Sequence, residues 1–92
     1  VREVSEYKKA VVGDVVIFRD ASGKDHNAIV TIDHGGCINL LHVSSDVARQ
    51  DQYGRQIERP TSISHQSQNK AHGFNWRWPN EEPNPYLPPT SR

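Results

Sequence analysis

The sequence predicts an all-β fold, a small antiparallel barrel of about five strands that runs on into an extended C-terminal arm. Three observations predict it. Short β-branched runs recur between clusters of turn residues. No stretch carries a sustained helical period. Both tryptophans and five of the six prolines crowd into residues 76–89, where proline, lacking an amide donor, ends any ladder.

The elements follow in order. Residues 1–10 are polar and mixed in charge, and read as a short helix or irregular lead-in. Gly13-Asp14 punctuates the chain before Val15-Val16-Ile17-Phe18, a run of strand length. Asp20 to Asp25 has turn chemistry throughout. Asn27 to Ile32 is the second strand, and Asp33-His34-Gly35-Gly36 the second turn. Cys37 to Val43 is the third strand. Alternation places Ile38, Leu40 and His42 on one face and Cys37, Asn39, Leu41 and Val43 on the other. From Ser44 to Gly73 the chain is polar, with isolated apolar residues at Val47, Tyr53, Ile57 and Ile63. So long a structureless loop is unusual in a compact domain. An irregular insert over about 44–60 is therefore expected to give way to a strand near Thr61 to His65, with Ile63 pointing inward. Phe74 to Trp78 is the closing strand, and beyond Pro79 an extended, polyproline-like arm is expected over 80–92. A Gly-Asp lead-in followed by two hairpins is typical of SH3-like barrels, so the domain is read as an SH3-like barrel over 13–79.

The strings VGDVVIF (12–18), NAIVTI (27–32), INLLHV (38–43) and HGFNWRWPNEE (72–82) together resemble a group of small phage-encoded proteins. Those proteins have an SH3-like barrel and a C-terminal Trp-x-Trp-Pro segment, and their function is largely unassigned. The resemblance covers about half the positions. It departs at Asn80, which precedes the Glu81-Glu82 pair, and in the insert from Tyr53 to Gln68. It implies a phage origin and a place in the virion or the host cytoplasm, and it transfers no catalytic residue.

Composition narrows the function. Ninety-two residues allow one small domain, and 34% hydrophobic content allows only a thin core. Eleven basic and eleven acidic residues give zero formal charge, so no global field steers the chain to nucleic acid or an anionic membrane. The lone Cys37 excludes an internal disulfide. No apolar run approaches the ~20 residues of a membrane helix, and no stretch reads as a secretory leader.

Candidate chemistry is sparse. His34, Cys37 and His42 lack the paired spacing of a zinc site, and no metal or cofactor is expected. Cys37 with His34 or His42 and Asp33 can be written as a triad, but a triad is geometry rather than content. A non-enzymatic protein is expected. The contact residues expected for a protein partner, such as a capsid or tail subunit, are Trp76, Trp78, Pro79, Tyr86 and Leu87, in the manner of a capsid decoration or cement subunit. The alternative is a nucleic-acid-binding or host-factor-binding barrel using Arg55, Arg59, Lys70 and Arg77. These interleave with aromatic residues and fall in a segment, 49–77, that carries five basic and two acidic residues.

Overall fold

The computed structural model describes residues 7–69 and 73–84. Among these there is no helix. Strand β1 (Val15–Arg19) and strand β2 (Asp25–Asp33) form an antiparallel hairpin with Val16 opposite Ala28 and Phe18 opposite His26. Asp20 closes its turn. One carboxylate oxygen, Oδ1, accepts the amides of Ser22 and Lys24 at 2.9 and 3.0 Å and the Ser22 hydroxyl at 2.6 Å. This is the local side-chain-to-backbone bonding that suits aspartate to turns. Strand β3 (Ile38–Val43) returns antiparallel to β2 after a turn in which Gly35 has φ of 101°. Only glycine adopts that conformation without cost.

Alternation holds on β3, where Ile38, Leu40 and His42 are buried. On β2 it is interrupted. Ala28 and Val30 are buried, but the register shifts between Val30 and Ile32. This bulge at Thr31 turns Ile32 to the outer face, opposite Asn39, where it is 42% exposed.

The polar segment holds more structure than an irregular insert. Strands β4 (Gln50–Asp51) and β5 (Gly54–Arg55) form a separate two-stranded ribbon with Tyr53 at its tip. Strand β6 (Ile57–Glu58) adds to the free edge of β3. Ile63 is inward, 3% exposed, and makes a reciprocal 2.8 Å amide–carbonyl pair with Ile38. Strand β7 (Ser64–His65) follows at once and pairs with strand β8 (Asn75–Arg77), which lies antiparallel to β1.

The main sheet therefore runs β6-β3-β2-β1-β8-β7. It departs from the expected all-antiparallel wall because β7 and β8 are parallel. Parallel neighbours cannot be joined by a tight hairpin turn. Among the described residues the Ile38–Ile63 bridge brings the β7 end of the sheet against β3. The result is a strongly curled mixed sheet with one bridge where a barrel would have a full strand pair.

Val16, Phe18, Val30, Leu40 and Trp76 are the largest fully buried apolar side chains, each 2% exposed or less. Trp76 meets Tyr7, His65 and Trp78 edge-to-face at centroid separations of 5.7, 4.7 and 5.6 Å, a favoured aromatic geometry. Past β8 the described chain turns before it could extend. Pro79 follows Trp78 in a turn closed by the Glu81 amide donating to the Trp78 carbonyl at 3.0 Å, and proline is pre-set for that position. The segment then lies against β7. Gln66 Nε2 donates to the Glu82 carbonyl, and both the amide and the side chain of Asn84 bond back to Gln66.

Candidate functional site: an outer apolar face and a cleft behind it

The β3–β6 pair has two different faces. His42 and Glu58 lie opposite each other on one, and Val43 and Ile57 on the other. The second face continues across the sheet. Val15 lies opposite Ile29, and Ile29 opposite Leu41. Leu41 is half-buried, while Val15, Ile29, Ile32, Val43 and Ile57 are 42–57% exposed. Side chains directly opposite on neighbouring strands touch, so these residues form an apolar band over β1, β2, β3 and β6. Scattered exposed apolar residues are ordinary, whereas these are gathered on one face.

Behind the same strands lies a cluster that sequence reasoning missed. His26 Nε2 is 2.7 Å from Asp20 Oδ2, and the His26 ring stacks on His42 at 4.2 Å. Phe18 packs against both. Burial by itself would raise the Asp20 carboxyl. The bonds from His26, Ser22 and Lys24 outweigh it and bring the pKa down from 3.8 to about 2. A signal was present: alternation puts His26 on the face of Ala28 and Val30, and His42 on the face of Leu40.

A second histidine is structural. The Ser67 amide donates to His65 Nδ1 at 3.1 Å, so Nε2 carries the hydrogen that bonds Glu81 Oε1 at 2.8 Å. The same carboxylate oxygen accepts the Trp78 amide at 2.7 Å, and the His65 ring stacks flat on Tyr7 at 3.9 Å. This group ties β7, β8 and the turn after β8 together.

The expected contact residues are distributed differently. Trp76 fills the core. Trp78 is half-buried, donates through Nε1 to the Lys8 carbonyl at 2.8 Å, and lies under the Lys8 ammonium. Pro79 is exposed at the turn. Tyr86, Leu87 and Lys70 fall outside the described residues. Of the expected cations, Arg55 braces the ribbon through Gln50 and the Ser44 carbonyl. Arg77 pairs with Asp25, a carboxylate it shares with Arg19, and its Nε is buried without a partner among the described residues. Arg59 is exposed and unpaired among the described residues. No family model, curated protein or solved structure matches the chain.

Proposed function

We propose that this chain is a non-enzymatic docking protein whose outer sheet face binds a protein partner. The resemblance to small phage-encoded proteins makes a shell or tail subunit of a virion the partner class, with the chain acting as a decoration or cement subunit. The observation that carries the reading is the apolar band formed by Val15, Ile29, Ile32, Leu41, Val43 and Ile57. A chain with only 34% hydrophobic residues and a thin core still leaves these on one exposed face. Zero formal charge favours a protein over a polyanion, because apolar burial then supplies the driving force and counterion release little of it. A repeating lattice would multiply a modest contact at each site.

The test is co-purification with intact particles. Ile29→Asp with Val43→Asp should cut occupancy at least about tenfold, since each side chain is worth roughly 1 kcal/mol or more when buried. Both positions are exposed, so circular dichroism should show the fold unchanged. Full occupancy by this variant would sink the reading. Truncation after Asn84 is the companion experiment. It removes Tyr86 and Leu87 while keeping the ties of Glu81, Glu82 and Asn84 to β7. Docking should survive it; loss would move the contact from the face to the arm.

A further inference from the structure

A cleft of about 390 Å³ opens on the inner side of the β3–β6 pair, walled by Phe18, His42, Asp46, Glu58, Arg59 and Phe74. It has the size of a small-ligand site, and its charged groups are mostly anionic, Asp20, Asp46 and Glu58 against Arg59. His42 is 7% exposed. Its Nδ1 donates to the Val43 carbonyl at 2.9 Å, which leaves Nε2 as a lone-pair acceptor with no partner among the described residues. Among the described residues, Asp46 uses one carboxylate oxygen on the Ala48 amide and leaves the other unengaged, and Glu58 gives Oε2 to Arg49 at 3.0 Å and leaves Oε1 unengaged. Asp20, also on the wall, stays ionised with its pKa near 2.

The aromatic side of the cleft is built with equal care. A Cβ at Gly73 would fall on the Asp20 carbonyl and within 2.7 Å of Ala21 Cα, so only glycine lets the chain pass there. The Phe74 amide then donates to the Arg19 carbonyl at 2.7 Å, and Phe74 takes a φ of 59°. That is a costly backbone for a bulky residue, and it holds the ring 53% exposed at the cleft mouth. Unengaged acceptors, carboxylates and an open aromatic face together suit a planar cation that donates several hydrogen bonds.

We propose that this cleft receives a guanidinium group, the side chain of an arginine that the docked protein partner passes round β6, the edge strand of the sheet. The site goes beyond the outer face and rests on the docking reading only for the source of that arginine. His42, Asp46 and Glu58 line the same cleft, and the planar fork of a guanidinium can bond several acceptors at once where the point charge of an ammonium is less directional. Arg59 stands at the rim as a like charge.

The probe is Nα-acetyl-arginine-methylamide, followed by the ring resonances of His42 and Phe74. Saturable shifts are expected, with the uncharged citrulline isostere weaker by about tenfold, as for loss of charge-assisted bonds. Asp46→Asn, which keeps the bond to the Ala48 amide, should weaken the probe about threefold, the scale of an accessible ion pair. Arg59→Ala should tighten it. Equal binding of the citrulline compound, no shift at His42 and Phe74, or weaker binding in Arg59→Ala would each overturn the proposal. Ile29→Asp acts on the outer face and should leave the probe's affinity unchanged, so failure of docking and failure of this site are read separately.

Discussion

Asp20 joins local folding to the site more directly than any other residue. Its Oδ1 closes the β1–β2 turn and its Oδ2 holds His26. The pKa of about 2 lies below the ordinary 3.8, so the linkage has a definite sign. A depressed folded-state pKa gives stability that is present above 3.8 and lost as pH falls toward 2. Allowing for a side chain that is one-quarter exposed, the contribution is roughly 1–2 kcal/mol. Asp20→Asn should lower stability by about that amount at pH 7 and by much less near pH 2, when chemical unfolding is measured at both values. An equal loss at both would show that the charge plays no part. Ser62 and Phe74 are the other informative single residues, the two described non-glycine positions with positive φ. Ser62 donates its amide to Asn39 Oδ1 at 2.9 Å, next to the bridge at Ile63. Phe74 is held by the close passage of Gly73. Neither conformation is written in residue type, because serine and phenylalanine both prefer negative φ.

At the scale of elements, the hairpins were legible. Val15 to Phe18, Asn27 to Ile32 and Cys37 to Val43 read as strands between turn residues, and β1, β2 and β3 lie there to within a few residues. The inward set Ile38, Leu40 and His42 followed from the period of two. After Ser44 the strand near Thr61 to His65 and the closing strand Phe74 to Trp78 were legible, and β7 and β8 lie within them. Strands β4, β5 and β6 were not, because strands of two residues carry no periodicity and exist where a neighbour offers an edge. The bulge at Thr31 was hidden too, since one extra residue leaves no mark in composition. Ile63 was found because it stands as a single apolar residue in a polar stretch. It forms the bridge between the two ends of the sheet, so Ile63→Ala should cost about 2–4 kcal/mol. Hydrogen exchange at the Ile38 amide should rise with it, because that amide donates to the Ile63 carbonyl. Unchanged protection at Ile38 would show that the bridge does not hold the sheet ends together.

At the scale of the molecule, one aromatic side chain organises the whole. Trp76 is among the largest fully buried side chains, and Tyr7, His65 and Trp78 pack around it. A domain of this size has a stability of about 5–15 kcal/mol at most, and Trp→Ala in a core costs about 3–5. Trp76→Ala should therefore leave a marginal or unfolded chain in thermal melts, whereas Trp78→Ala, at a half-buried site, should only lower the midpoint. Equal effects of the two would place the core elsewhere. The tryptophan-proline segment marked the end of the sheet in the sequence, and alternation already placed both indoles on one face. Which of them reached solvent was a tertiary matter. β8 lies between β1 and β7, and that position seals Trp76 while leaving Trp78 at the rim. By itself the sequence determined an all-β class, three central strands, the inward face of the third, and the small apolar complement that limits the core. These rest on local propensity and a period of two, both readable within a few residues. The tertiary structure alone decided the parallel β7–β8 pair, the gathering of exposed apolar residues into one band, and the meeting of Asp20, His26, His42 and Phe74 around a cleft. Those depend on register and curl between segments up to 56 positions apart, as Phe18 is from Phe74, and no local pattern encodes such distances.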